Sequence, residues 1–368
     1  MTERTLVLAG GGHAHVEVLR QLAERPLAGW RAVLVTRESH SPYSGMLPGV
    51  AAGLYRPDQA LIDARALTER AGASLVLDRV EGLDPEAQLV LRADGPPIPY
   101  DLLSIDTGAT PDVSRVPGAA EHALPLKPID GLLPRLDALF AEARAGQTVA
   151  VVGGGAAGCE MALAMAARLG PRGVRVVLAV GRAGLLPDKP AALRRRVTAE
   201  IARRGIALRS GQDVAAVTEA GLRIGDEMAP AEAVLWATGA AAAPWLAHSG
   251  LPRDAAGFLL VEPSLRVTGR TNVFAAGDVS SLLPKPLPKS GVVAVRQGPV
   301  LARNLRAAAE GRTLEDYVPQ RDWLVLLSLG DGRALGTRNG LVFSGRWVWW
   351  WKDWLDRRFM ARYQGNGR

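Results

Sequence analysis

A glycine-rich turn between an apolar strand and a helix occurs twice in this chain, and that repeat restricts its fold more than any other feature. The first copy is Thr5-Leu-Val-Leu-Ala9, the turn Gly10-Gly11-Gly12, and a helical pattern through Val16, Val18, Leu19 and Leu22. Another apolar run, Ala32-Val-Leu-Val35, follows at the distance a strand-helix-strand unit needs. The second copy is Thr148-Val-Ala-Val-Val152, the turn Gly153-Gly154-Gly155-Ala156-Ala157-Gly158, a helix from Glu160 to Leu169, and a strand from Val174 to Val180. Glycines at these places let backbone N–H groups approach a pyrophosphate, and the positive end of the helix dipole favours its charge. Both copies read as dinucleotide-binding units of a parallel α/β sheet.

The copies are not equal. In the first, His15 stands where a third glycine is usual, and Thr36, followed by Arg37 and Glu38, stands where an acidic residue usually binds a ribose. The second carries Gly153, Gly155 and Gly158 in full. Val180 takes the acidic position there, and Arg182, two residues on, favours a 2′-phosphate and so NADPH over NADH; the alternative is that Arg182 simply faces water. Each half closes with a strand ending in Thr-Gly, at Thr107-Gly108 and Thr238-Gly239. A further strand, from Thr271, delivers Gly277-Asp278 at its C-terminal end. A carboxylate there can accept a ribityl hydroxyl, and a helix from Gly291 can aim its N-terminus at a flavin.

With these motifs in order, the chain resembles the two-dinucleotide-binding-domain flavoproteins, the FAD-dependent pyridine nucleotide-disulfide oxidoreductase superfamily, in the branch that includes type II NADH dehydrogenases. His40-Ser-Pro-Tyr-Ser-Gly-Met-Leu-Pro-Gly49, Leu126-Lys127 and Pro288-Lys-Ser-Gly-Val-Val-Ala-Val-Arg-Gln-Gly298 also resemble a subgroup that occurs fused ahead of selenophosphate synthetases. The resemblance implies two Rossmann-like domains, with residues 1–112 and 263–312 forming the FAD domain, 113–262 an inserted NAD(P)H domain, and 313–368 a C-terminal appendage. It implies FAD at Gly10, Gly12, His13, Ala14, Thr36, Arg37, Thr107, Gly108, Gly277 and Asp278. It implies NADH or NADPH at Gly153, Gly155, Ala156, Gly158, Glu160, Arg182, Thr238 and Gly239. Tyr43, Lys289, Arg296 and Gln297 are its candidates for the flavin's surroundings, with Val292 and Arg296 where type II dehydrogenases carry a glutamine pair. Lys285 and Lys289 either add positive charge near the flavin or are solvated loop residues.

Composition narrows the chemistry. A chain of 368 residues suggests two or three domains, and 48% hydrophobic with 22% charged residues excludes wholesale disorder. Thr5 to Ala9 is too short for a signal segment, and the apolar stretch from Thr148 to Leu169 is broken by glycines and Glu160, so neither reads as a leader or a span. The expected location is the cytoplasm, with a peripheral seat on the cytoplasmic face of the inner membrane as the variant. The net charge of +7 comes from scattered arginines, which is no nucleic-acid stripe. A single cysteine, Cys159, excludes a redox dithiol, and its place on a helix reads as packing. His13, His15 and His40 lack a supporting carboxylate cluster, so no metal is expected; His13 or His15 either meets the cofactor, caps the helix or packs.

The electrons must therefore leave by another route: to a quinone, to a small electron-transfer protein, or to oxygen and artificial dyes; a selenium or sulfur species is implied by the resemblance alone. Five of nine tryptophans fall between Trp347 and Trp354. On a helix, Trp347, Trp350, Trp351, Trp354, Leu355 and Phe359 approximate one face, with Lys352, Asp353, Asp356 and Arg357 away from it. Such a face suits a membrane interface and a quinone acceptor, or else packs against the protein's own surface or a second subunit of a homodimer. The leading expectation is an FAD-dependent NAD(P)H oxidoreductase with a quinone-like acceptor. The rival of a different kind is a non-catalytic flavin-binding redox sensor or scaffold.

Overall fold

The computed structural model describes residues 3–127, 131–320 and 323–364. Two five-stranded parallel sheets form its frame. The first has the order Val273–Ala275, Leu102–Ile105, Arg4–Ala9, Trp30–Thr36, Ser74–Leu77. The second runs Ala123–Pro125, Ala233–Trp236, Thr148–Val152, Arg175–Val180, Ala207–Ser210. In each, the strand before the glycine turn is central, because its side chains are buried on both faces as a parallel sheet requires. The strand Val273–Ala275 returns across the whole second sheet to pair with Leu102–Ile105. The halves are also laced by a short antiparallel pairing of Thr110–Pro111 with Ala240–Ala241.

Four helices matter for function. Helix α1 (His13–Glu24) and α2 (Ala156–Leu169) follow the two glycine turns. The second begins four residues before Glu160, the expected start: Gly155 is still extended as its cap, and helical geometry sets in at Ala156. Helix α3 (Gly291–Ala309) packs along α1, and the bare Gly298 permits the approach: a Cβ there would come 2.9 Å from Cβ of Glu17 and 3.3 Å from Cα of Ala14. Helix α4 (Arg346–Ala361) follows a three-stranded antiparallel sheet, Val325–Ser328, Ala334–Arg338 and Leu341–Gly345.

The tail joins the two halves. Leu327 and Leu335 of its sheet, with Leu329 just after the first strand, belong to the second core, beside Val151 and Leu163, whereas Val348, Trp349, Phe359 and Met360 of α4 belong to the first, beside Leu8 and Leu19. Full burial of each such side chain is worth about 2 kcal/mol. The expected orientation of α4 needs correction. Val348, Trp349, Lys352, Asp356, Phe359 and Met360 face inward, while Trp347, Trp350 and Trp354 face out at 53%, 62% and 52% exposure. Lys352 and Asp356 tolerate burial because they neutralise each other, which hydropathy patterning does not register. Among the described residues, no helix is long and apolar enough to cross a membrane.

Candidate dinucleotide and flavin site

At the C-terminal end of the first sheet lies a cavity of about 630 Å³. The first glycine turn forms one wall. Gly10 has φ +101° and packs directly on the backbone of Asp106, and a Cβ on Gly12 would overlap the Asp106 carboxylate. The wall therefore exists only because these residues lack side chains. Thr36 and Arg37, at the end of the second strand, line one end of the cavity; Asp278, Gly291 and Ala294 line another part. His13, Thr107 and Gly108 lie between the strands in the same wall.

Asp278 sits in the short turn Gly277–Val279, and its carboxylate accepts from the Lys127 ammonium at 2.5 Å. The Gly277 N–H donates at 2.7 Å to Oε1 of Gln297, which is buried on α3 and so holds this turn from behind. His15 replaces the third glycine without opening the fold. Its Nδ1–H donates at 2.6 Å to the Gly10 carbonyl, and Nε2 accepts from the Ser104 hydroxyl at 2.8 Å. Burial pulls the pKa of His15, and likewise of His13, down to about 4, so both rings are neutral. Neither side chain caps α1.

The chemistry of this wall fits a flavin dinucleotide. Gly10, Gly12 and Gly277 pack so closely on Asp106 that none could carry a side chain, which keeps bare backbone at and beside the wall. Two buried polar atoms that face it, Nε2 of His13 and Oγ1 of Thr107, have no hydrogen-bond partner among the described residues. Such atoms call for a polar ligand or water.

The second turn is built alike and is more open. Gly153 has φ +135°, and a Cβ on it would lie 2.6 Å from the Ala237 carbonyl oxygen. Gly158 packs on the carbonyl of Gly153, while around Gly155 there is open space before the N-terminus of α2. Ala156 opens that helix, and Thr238 and Gly239 follow its neighbouring strand. Arg182 pairs with Asp213 at 3.4 Å at the exposed edge. Glu160 turns away from the glycine turn: its carboxylate accepts from the Ser328 N–H of the tail sheet at 2.7 Å, and burial raises its pKa to about 7. Cys159 is buried against the Gly154 carbonyl, and burial pushes its thiol up to about 12, so it is no nucleophile.

Three flavin-side candidates stand elsewhere than the cavity wall. Tyr43 stacks on Phe359 of α4 at 4.3 Å, and its hydroxyl donates to Asp356 at 3.3 Å, because α4 folds over that loop. Lys289 donates to the Ser280 carbonyl at 2.5 Å and lies 3.8 Å over the Phe258 ring. Arg296 is exposed on the outer side of α3, as is Val292. Gln297 alone of the α3 pair faces inward. Lys127 and Asp106 are among the wall residues that the sequence reading does not give as site residues. Lys127 appears there only inside a motif, and the one signal for Asp106 is an acid that ends an otherwise apolar strand.

Comparison with known proteins agrees with this geometry. The chain is 29% identical over 256 residues to demethylphylloquinone reductase NdbB of Synechocystis, covering 67% of this chain and 61% of that protein. It is 25% identical over 350 residues to the NADH dehydrogenase-like protein YutJ of Bacillus subtilis, covering 93% and 95%. The solved structure of NDH2 from Plasmodium falciparum in complex with NADH superposes with a TM-score of 0.83 at 15% identity, over 97% of this chain and 96% of that one. The family model for pyridine nucleotide-disulphide oxidoreductases matches residues 4–298. The chain belongs to the pyridine nucleotide-disulphide oxidoreductase family.

Proposed function

We propose that the chain is an FAD-dependent NAD(P)H oxidoreductase that passes electrons to a quinone-like acceptor at a membrane surface. The observation that carries the redox part is the presence, in one chain, of two glycine-walled helix N-termini, the first opening on the cavity that ends at the Lys127–Asp278 pair. A bound flavin would accept hydride from a nicotinamide and hand the two electrons on. The protein's part is to hold and exclude. Gly10, Gly12 and Gly277 bring backbone close to the dinucleotide, Gln297 fixes the Gly277-Asp278 turn, and Asp278 is placed to take a ribityl hydroxyl.

The acceptor is argued from the outside of α4. Trp347, Trp350 and Trp354 form an exposed stripe at helical spacing, with Arg358 over Trp354 at 5.1 Å and the exposed Leu341 nearby in sequence. Indole rings beside guanidinium groups favour the boundary between lipid tails and phosphates. The names of the quinone and NADH relatives support the same reading. Arg182, the residue that would favour a 2′-phosphate, is paired with Asp213, so both NADH and NADPH belong in the assay.

Bleaching of the flavin absorbance on anaerobic mixing with NADH or NADPH tests the first half. No bleaching with either would leave only a binding role. For the second half, quinone turnover is measured with lipid vesicles for the wild type and for a triple Trp347→Ser, Trp350→Ser, Trp354→Ser variant. Unchanged turnover and unchanged vesicle binding would remove the membrane reading.

A further inference from the structure

The two halves repeat one element with a single change of consequence. In the second, the strand Ala233–Trp236 ends in Ala237-Thr238-Gly239, and Gly153 packs on the Ala237 carbonyl. In the first, Leu102–Ile105 ends in Asp106-Thr107-Gly108, and Gly10 packs on the Asp106 carbonyl in the same way. An alanine in one copy is thus an aspartate in the other.

That carboxylate occupies the place where the fold offers positive charge. It accepts from the backbone N–H groups of Ala14 at 2.8 Å and His15 at 3.2 Å, in the first turn of α1. It also lies against Gly12 and Gly277, so that a side chain on either would overlap it. Asp106 is 2% exposed and belongs to the cavity wall. The N–H groups that favour a dinucleotide's phosphates therefore already face an anion of the protein's own.

Among the described residues, the charged group that acts on Asp106 has the same sign as its carboxylate, although Arg37 and Arg79 line the same cavity. The charged group facing Asp106 from the Gly277–Val279 turn is Asp278, of like sign, and its partner Lys127 is spent on it. The titratable groups on α1, His13 and His15, are held neutral by burial. Burial, opposed by the two backbone N–H donors and assisted by Asp278, raises the Asp106 pKa to about 7.

We propose that Asp106 couples dinucleotide binding to proton uptake: the site holds FAD with Asp106 as the neutral acid, taking the proton from solvent and returning it when the dinucleotide leaves. The neutral carboxyl keeps an oxygen for Ala14 and His15, gains an O–H donor toward the cavity, and removes repulsion against the pyrophosphate. The inference rests on the flavin reading of this cavity. It makes flavin affinity fall with rising pH, up to tenfold per unit once Asp106 is ionised in the free protein, and stay flat on the acid side.

The test is flavin release. The holoprotein is diluted at pH 5.5 to 8.5, and the fluorescence of freed FAD gives the dissociation constant of the wild type, Asp106→Asn and Asp106→Ala. The alanine variant restores the residue of the second half. Expected is a wild-type dissociation constant that rises about tenfold per unit above pH 7.5 and is level below pH 6, with level profiles in both variants. A level wild-type profile, or the same rise in the variants, overturns the proposal. A protein that takes up no FAD at any pH defeats the flavin reading instead.

Discussion

The ammonium of Lys352 lies 2.6 Å from the carboxylate of Asp356 and 2.7 Å from the Gly45 carbonyl, with both side chains 7% exposed. Four residues apart on α4, the two tie the tail to the loop that carries Tyr43, whose hydroxyl donates to the other carboxylate oxygen. Removing one partner leaves a buried, uncompensated charge. Lys352→Met should therefore cost about 3 to 5 kcal/mol in denaturant unfolding, and the double variant Lys352→Met, Asp356→Leu should recover much of it. A single variant as stable as wild type would show that water reaches this pair.

Glu160 makes stability depend on pH in a defined direction. Its carboxyl is raised from 4.5 to about 7 in the folded protein, so between those values the folded state holds a proton that the unfolded chain has lost. Stability from this group is complete below about pH 4.5 and is lost as pH rises through 7, with a slope of at most about 1.4 kcal/mol per unit. Glu160→Gln keeps an acceptor for the Ser328 N–H and lacks the titration. The melting temperature of wild type minus that of Glu160→Gln should be more positive at pH 5 than at pH 8.

The two glycine turns should fail separately. A methyl at Gly12 meets the Asp106 carboxylate, and one at Gly158 meets the Gly153 carbonyl. An overlap worth about 2 kcal/mol weakens binding about thirtyfold. Gly12→Ala should purify with little flavin. Gly158→Ala should keep its flavin absorbance and lose rapid bleaching by NAD(P)H, which stopped-flow absorbance at low nucleotide concentration would report.

The tryptophans of α4 divide by face. Trp349 is buried and stacks on Tyr55 at 5.6 Å, so Trp349→Ala should cost about 3 to 5 kcal/mol of stability. Trp350→Ala, at an exposed position, should change stability by no more than about 0.5 kcal/mol while weakening vesicle flotation. Equal stability losses at both positions would mean that the outer stripe is packed in solution, as in a dimer.

Both glycine turns, the strands before them and the late Gly277-Asp278 strand were legible as local patterns, since a strand period of two, a helix period near 3.6 and a tight turn are written in neighbouring residues. Tyr43, Lys289 and Arg296 were not placeable that way. Tyr43 and Lys289 depend on what packs over them from far along the chain, Phe359 and Asp356 over Tyr43 and Phe258 under Lys289, whereas Arg296 is left exposed. The face of α4 was misjudged for the same reason, because Lys352 and Asp356 are polar singly and buried only as a pair.

Read alone, the residues supply two glycine-turn units in one chain, a single cysteine at Cys159, and a tail rich in tryptophan. These follow from residue type and short spacing. Folding is what brings Asp106 beneath the first glycine turn and Lys127 to Asp278, and what leaves Trp347, Trp350 and Trp354 outside. Those are encounters between residues far apart in the chain, set by how the late-returning strand and the tail pack against the first half.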